Sequence, residues 1–135
     1  MALNPHLADA AANAAANAIA TLANAGKLEI FSGTQAANAN TAPDGSNHLL
    51  ATLTMAATAF PGGATGGVLT AGTITSGTAI YSATATWFRL YESDGTTSLC
   101  DGSCGTGNAN LIMNSVAIVS GATVAVSAFT LTITE

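Results

Sequence analysis

The chain has 135 residues, of which 49% are hydrophobic and only 7% are Asp, Glu, Lys or Arg, and its formal net charge is −5 at pH 7. Lys27 and Arg89 are its only formal cations. Two cations are too few to neutralise phosphates, so we expect binding neither to nucleic acid nor to an anionic membrane surface. No apolar run reaches the roughly 20 residues that span a bilayer.

The low charge also bears on what surrounds the protein. A small soluble domain usually carries charged residues on about 25–35% of its surface. We therefore expect neighbouring subunits of an assembly to cover much of this surface. The alternative is a monomer that Thr, Ser and Asn side chains keep in solution.

Residues 1–26 predict an Ala-rich N-terminal helix or arm. Asn4 is a suitable N-cap, Pro5 fits the first helical position, and Gly26 is placed to end the helix. Spacings of three and four predict one shallow apolar stripe, which we expect to be an interface: Leu7, Ala11, Ala15, Ile19 and Leu22. The stripe is mostly methyl groups, so the helix must lean on its own domain or on a neighbouring subunit.

The same segment differs from a secretion signal. It has no basic region at its start, it carries Asp9, and asparagines interrupt its apolar residues. We therefore expect it to belong to the mature protein, made in the cytoplasm.

Residues 27–135 predict an antiparallel β domain, because the hydrophobic pattern changes there to a period of two. We expect strands over 27–32, 48–55, 68–75, 82–91, 96–100, 111–119 and 123–134. Loops are expected over 35–47, 59–67 and 101–110, and a change of parity predicts a bulge near Ala128. The predicted fold is mainly β, an antiparallel β-sandwich or jelly roll with one N-terminal α-helix.

The segment ATWFRLYESDGTT contains the strongest predicted strand and a predicted two-residue type I′ turn at Asp94-Gly95. Along the strand Trp87, Arg89 and Tyr91 share one face, and Phe88 and Leu90 share the other. Either face suits the core. An aromatic residue beside an arginine also suits a contact with a partner, so both interpretations stay open.

No constellation of residues predicts an enzyme, a cofactor or a metal site. His6 and His48 are the only histidines, and no Gly-x-Ser-x-Gly motif surrounds a serine. Glu92 and Asp94 flank a turn that favours acidic residues for local reasons. We therefore expect no catalytic, cofactor-binding or metal-binding residues.

Cys100 and Cys104 lie in the segment CDGSC. They could bridge a tight loop if their Cα atoms lie within about 7 Å. In a cytoplasmic product, free thiols are expected instead.

Four segments together resemble small virion proteins of tailed bacteriophages: MALNPHLADAAANAAANAI, KLEIFSGTQAANANTA, ATWFRLYESDGTT and NSVAIVSGATVAVSAFTLTI. The likeness is greatest to head decoration, or capsid cement, proteins. It implies a jelly-roll or β-sandwich fold on the outer capsid surface of the virion. It also implies that the chain binds the major capsid protein, clamps neighbouring capsid subunits and self-associates at symmetry axes.

Other functions stay open. A tail or fibre component of the same virion would assemble into rings or trimers. A carbohydrate- or receptor-binding module would expose Trp87, Tyr81 and Tyr91 in a groove. A small enzyme and a secreted pilin-like or adhesin subunit are further alternatives.

Overall fold

The computed structural model describes residues 5–133, which form one α-helix and twelve β-strands. The predicted N-cap, Asn4, lies outside the described residues. In chain order the elements are α1 (Asp9–Leu22), β1 (Lys27–Phe31), β2 (Leu49–Met55), β3 (Val68–Thr70), β4 (Ile74–Thr75), β5 (Gly77–Thr78), β6 (Ala83–Thr84), β7 (Trp87–Tyr91), β8 (Ser98–Gly105), β9 (Leu111–Met113), β10 (Ala117–Ile118), β11 (Thr123–Val124) and β12 (Val126–Thr132).

The prediction of a mainly β protein with one helix is confirmed. Eight strands form one curled sheet in the order β3-β12-β9-β8-β7-β1-β2-β4, and β10 pairs with β6 and β11 with β5. The sheet is mixed, because β8 and β9 are parallel. The all-antiparallel prediction is wrong for that pair. The parallel pairing involves only two residue pairs, Cys104 with Leu111 and Gly105 with Ile112. A pairing this short is reached through the 106–110 loop, without the longer crossover that parallel strands usually need.

Four predicted strands are broken in the structure because the chain changes hydrogen-bonding partner along each. Within 68–75, β3 pairs with β12, whereas β4 pairs with β2. Within 82–91, β6 pairs with β10 and β7 with β1 and β8. Between β6 and β7, the Ala85 N–H donates to Val116 O and the Thr86 N–H donates to Phe31 O. Within 111–119, β9 and β10 separate in the same way. Within 123–134, β11 pairs with β5, whereas β12 pairs with β9 and β3.

The chain reversal between β7 and β8 also differs from the prediction. The Gly95 N–H donates to Glu92 O at 3.0 Å, and Gly95 has φ of 72°. Asp94 is not in the left-handed region, which excludes a type I′ turn because that turn needs two such residues. The geometry is that of a type I turn followed by a left-handed glycine.

The predicted loop over 101–110 is wrong for residues 101–105, which continue β8. Gly102 lies opposite Phe88 in the β7–β8 register. A glycine at this position therefore leaves room for the Phe88 ring and does not indicate a flexible loop. The predicted bulge near Ala128 is confirmed by a shift of register between Val126 and Ala128.

The main core lies on one face of the sheet and under α1. Phe88 and Phe129 meet edge to face with ring centroids 5.1 Å apart. Around them pack aliphatic residues of several strands and small residues of the helix, among them Leu28, Ile30, Leu53, Leu90, Leu111, Ala16, Ala20 and Ala23. Of the two faces of β7, the Phe88 and Leu90 face is therefore the one in this core.

The predicted limits of the helix are wrong. Pro5 is not helical, α1 begins at Asp9, and its N-cap, Ala8, makes no side-chain hydrogen bond. After the helix, Ala25 adopts the left-handed conformation, with φ of 54°, instead of Gly26. Gly26 is required for a close approach: a Cβ there would lie 2.5 Å from Tyr91 O.

The helix packs on its own domain through a different face from the predicted stripe. Its buried residues are Ala12, Ala16 and Ala20. Leu7, which precedes the helix, is 46% exposed and Leu22 is 47% exposed. Alanine has the smallest side chain that still favours helix, so an alanine row brings the helix backbone close to the sheet.

Three asparagines of this region hold the loop that connects β2 to β3. The Gly67 N–H donates to Asn13 Oδ1 at 2.8 Å, and the Ala64 N–H donates to Asn17 Oδ1 at 2.8 Å. The Ala59 N–H donates to Asn24 Oδ1 at 2.9 Å. The asparagines, which the sequence offered only as interruptions of an apolar segment, therefore satisfy loop backbone donors.

Candidate functional site

A row of polar side chains crosses the centre of the sheet on the face opposite the main core. Glu29 of β1 lies opposite Arg89 of β7, and Arg89 lies opposite Asp101 of β8. Directly opposite residues have neighbouring side chains on the same face. Three formal charges thus stand side by side on three adjacent strands.

Arg89 is 2% exposed and ties the 33–47 loop to the sheet. Its Nη1 donates to Thr41 O at 2.7 Å and its Nη2 donates to Asn38 O at 3.1 Å. Nη2 also donates to Asp101 Oδ2 at 2.9 Å. A charged donor makes stronger hydrogen bonds than a neutral one, so the guanidinium is a structural anchor for the loop.

Trp87 is buried beside Arg89 and is 1% exposed. Its ring stacks on Phe31 with centroids 4.5 Å apart, and its Nε1 donates to Ser32 O at 3.3 Å. The guanidinium of Arg89 lies 5.3 Å from the Trp87 ring centroid. Trp87 is therefore packed within the domain and has no exposed face on which a sugar could stack.

Burial is the main cause of a raised pKa at two groups in and beside this row, Glu29 and Tyr91. It raises the pKa of Glu29, although a hydrogen bond with Tyr91 and the charge of Arg89 oppose the rise. Burial and the nearby Glu29 carboxylate raise the pKa of Tyr91. Tyr91 thus stays a neutral phenol that can both donate and accept hydrogen bonds.

A pocket of about 390 Å³ opens beside this row, and we call it the Arg89 pocket. It lies between the 39–43 part of the loop and the β7–β8 hairpin, and its lining includes Arg89, Tyr91, Thr96, Thr97, Ser98 and Pro43. Within residues 5–133, Arg89 Nε and Ser98 Oγ are buried without a hydrogen-bond partner. The pocket therefore has two unsatisfied polar atoms in its wall residues.

Exposed apolar side chains gather at another part of the surface, formed by the segments 79–82 and 119–122. The segments are joined by hydrogen bonds from the Ala79 N–H to Ala122 O and from the Gly121 N–H to Ala79 O, both 2.8 Å. We call the three side chains that these segments expose the apolar cluster: Ile80 (64% exposed), Tyr81 (43%) and Val119 (61%).

Val119 of the apolar cluster also lines a small pocket of about 150 Å³, together with Met113, Ile118 and Val124. His48 stacks on Tyr81 with ring centroids 4.3 Å apart. Residues 102–133 contain no Asp, Glu, Lys or Arg. A partner would therefore meet this surface without removing a formal charge of these residues from water.

The structure does not bring the predicted interface residues together on one surface. Trp87 and Arg89 are buried under the loop and Tyr91 is half-buried. The helix stripe faces outward: Leu7, Ala11, Ala15 and Leu22 are exposed and Ile19 is half-buried. Tyr81 is also remote from Tyr91, because it stacks on His48 near the Phe31 end of β1, whereas Tyr91 pairs with Lys27 at the other end. The three aromatic residues thus do not line one groove.

Local sequence pattern did not predict the apolar cluster. Ile80 lies between two predicted strands and Val119 ends another, and only the fold makes their segments neighbours. Asp101 was also missed as the partner of Arg89, because the Gly-rich pattern around it predicted a loop. Asp101 lies about as far after the Asp-Gly turn as Arg89 lies before it, and this was the one sequence signal for the pair.

The cysteines cannot bridge within this structure. Cys100 and Cys104 lie on one strand, β8, and four residues of a strand span about 13 Å, well beyond the reach of a disulfide. Burial raises the pKa of Cys100 to about 11, helped by the charge of Asp101, and raises the pKa of Cys104 to about 12. Both side chains are therefore neutral thiols at pH 7.

Within residues 5–133, no group of three or more His, Cys, Asp or Glu side chains is placed to hold a metal ion. In the same part of the chain, no helix combines the length and apolar character that crossing a membrane requires.

Comparison of the chain with protein-family models, with curated proteins and with solved structures finds no match.

Proposed function

We propose that this chain is a structural virion protein that binds the outside of a bacteriophage capsid and cements neighbouring major capsid subunits. The resemblance of its four segments to phage decoration proteins suggests the setting. The observation that carries the proposal is the apolar cluster, because Ile80 and Val119 are more than half exposed on a chain with very little charge. Exposed apolar groups that lie together are typical of contact surfaces.

The mechanism would be one of mass action. A protein that binds the assembled shell, and binds its separate subunits weakly, stabilises the shell by the free energy of binding. Self-association at the capsid symmetry axes would multiply this effect over many copies. In this proposal the apolar cluster contacts the major capsid protein. The predicted stripe, which is formed by Leu7 before α1 and by Ala11, Ala15, Ile19 and Leu22 within it, contacts a neighbouring copy or capsid subunit.

The packing at the centre of the sheet suits such a role. The main core buries one face there, and the 33–47 loop, which Arg89 holds, covers Trp87 and Arg89 on the other. A stiff domain loses little conformational entropy when it binds. We also retain the sandwich or jelly-roll class as a proposal, which is supported by the curl of the sheet.

Cryo-electron microscopy of purified particles tests the location. We expect density for this chain on the outer capsid surface, bridging capsomers. Density confined to the tail would instead support a tail or fibre component, and absence from the particle would contradict both.

A binding experiment tests the surface. Ile80→Ser and Val119→Ser should each reduce co-sedimentation with shells that lack the protein, because they place a hydroxyl in an apolar contact. Val68→Ser, which changes an exposed valine of β3 outside the cluster, is the matched control and should bind normally. Equal binding by all three variants would contradict the assignment of the apolar cluster.

A further inference from the structure

The Arg89 pocket has no part in the proposed function. We infer that it binds an uncharged polyhydroxyl ligand, for which a saccharide ring is the fitting chemical class. The inference does not depend on capsid binding, since the apolar cluster and the Arg89 pocket have no lining residue in common.

Two unsatisfied atoms indicate a ligand. Arg89 Nε and Ser98 Oγ are both buried without a partner within the described residues, and both residues line the pocket. Leaving a buried polar atom unpaired costs free energy, so folded proteins seldom do so without a reason. Two such atoms at one pocket favour a site that an oxygen-rich ligand completes.

Charge decides against an anionic ligand. The guanidinium of Arg89 is already paired with Asp101 at 2.9 Å, and Glu29 lies opposite it on β1. Lys27 is turned to the next strand, where its Nζ donates to Thr54 Oγ1 at 3.3 Å. A carboxylate or phosphate would thus be a third negative group beside one guanidinium, and like charges disfavour each other.

The wall chemistry fits hydroxyl groups. Arg89 Nε can only donate a hydrogen bond, whereas a serine hydroxyl can donate and accept. Thr97 Oγ1 donates to Asp94, which leaves its lone pairs free to accept. A sugar hydroxyl both donates and accepts and so matches this mixture, but a carbonyl group accepts only.

The size and the apolar part of the wall also suit a sugar. The volume of about 390 Å³ lies in the range of small-molecule sites, about 300–1,000 Å³. Tyr91 and Pro43 line the pocket and offer apolar surface for the C–H face of a ring.

A ligand would reach the two unsatisfied atoms only if the loop shifts, because both atoms are buried below the pocket surface. The loop wall is held on Arg89 through the carbonyls of Asn38 and Thr41, so an outward shift of residues 39–43 would uncover the guanidinium edge.

Amide spectra of the ¹⁵N-labelled full chain test the inference. The probes are glucose, galactose, mannose, N-acetylglucosamine and rhamnose, added separately, with sodium acetate as the anionic comparison. At least one sugar should shift the amides of residues 39–42 and 96–98. Ser98→Ala should weaken that binding about tenfold, the effect of one hydrogen bond to a ligand. Ser103→Ala should not, because the Ser103 hydroxyl on the same strand bonds Asn110 outside the pocket.

Three results would overturn the inference: no shift of these amides by any of the sugars, equal shifts by acetate, or unchanged binding by Ser98→Ala. The stability of Ser98→Ala without sugar is a second check. Its urea midpoint should equal or exceed that of the wild type, because the replaced hydroxyl has no partner. A lower midpoint would mean that this hydroxyl has a structural role, which contradicts the premise.

Discussion

Arg89 and Asp101 form an ion pair of 2.9 Å across the β7–β8 pairing, and both side chains are buried. The pair stands in the middle of a sheet with the 33–47 loop above it. Because Arg89 also donates to two carbonyls of this loop, one side chain joins the β7–β8 hairpin to a loop that lies 48 to 51 residues earlier in the chain. The strand and its arginine were predicted, but not this function of the arginine.

Replacing Arg89 should be strongly destabilising. Arg89→Met leaves the Asp101 carboxylate buried without its cation and removes the donors to Asn38 O and Thr41 O. Breaking one partner of a buried pair costs about 3–5 kcal/mol. Urea unfolding should therefore show a loss of this size. Lys27→Met is the control, because Lys27 makes one partly buried hydrogen bond to Thr54, worth about 1 kcal/mol. Equal losses for the two variants would contradict the anchoring role.

The asparagines of the helical region should protect specific amides of the β2–β3 loop. Asn13→Ala and Asn17→Ala should each lower stability by about 0.5–1.5 kcal/mol, the value of one hydrogen bond. Hydrogen exchange should become faster at the Gly67 amide in the first variant and at the Ala64 amide in the second.

Asn114→Ala serves as the control for these variants, since Asn114 is exposed and an exposed substitution changes stability by less than about 0.5 kcal/mol. If each asparagine variant accelerated exchange equally at both amides, the one-to-one pairing would be wrong.

Because one face of the helix is buried, the same substitution at neighbouring alanines should change stability by different amounts. Ala16→Leu inserts a larger side chain into the core and should cost about 1–3 kcal/mol. Ala15→Leu adds the same group on the outward stripe and should change stability by less than about 0.5 kcal/mol. Thermal unfolding of the two variants decides between the faces. A larger loss for Ala15→Leu would restore the stripe that the sequence predicts as the packing face.

Two carboxyl groups should give pH dependences of opposite sign. The folded pKa of Glu29 is raised above its ordinary value of 4.5, so the stability that it contributes is present below that value. This contribution is lost as the pH rises through the raised pKa. Relative to Glu29→Gln, which does not titrate, the wild type should lose stability over that interval in urea unfolding at a series of pH values.

Asp94 should behave in the opposite way. Hydrogen bonds, chiefly from the Thr97 hydroxyl, lower its pKa from 3.8 to about 2. Its contribution is therefore present above 3.8 and is lost as the pH falls towards about 2. Asp94→Asn should lack that acid-side loss. The same slope in wild type and Asp94→Asn below pH 3.8 would show that the turn hydrogen bonds do not form in solution.

The local sequence pattern predicted strands best where a segment keeps the same neighbouring strands and the same buried face along its whole length. Strands β1 and β2 were predicted to within a residue at each end, because their alternating residues face the core along the whole length. The predictions for 68–75, 82–91, 111–119 and 123–134 failed because each of these segments changes its pairing partner midway. Alternation in the sequence does not record which strand lies alongside, so it predicted one strand where the fold has two.

The sequence by itself determined the class of the protein: the alternation of apolar residues indicated strands, and the alanines indicated a helix. Only the tertiary structure decided which surfaces are covered. It buried the alanine row of α1 in place of the predicted stripe, and it buried Trp87 and Arg89 beneath a loop. It also left Ile80 and Val119 exposed on two neighbouring segments. The reason is physical: burial depends on contacts between residues far apart in the chain, and a local period carries no information about them.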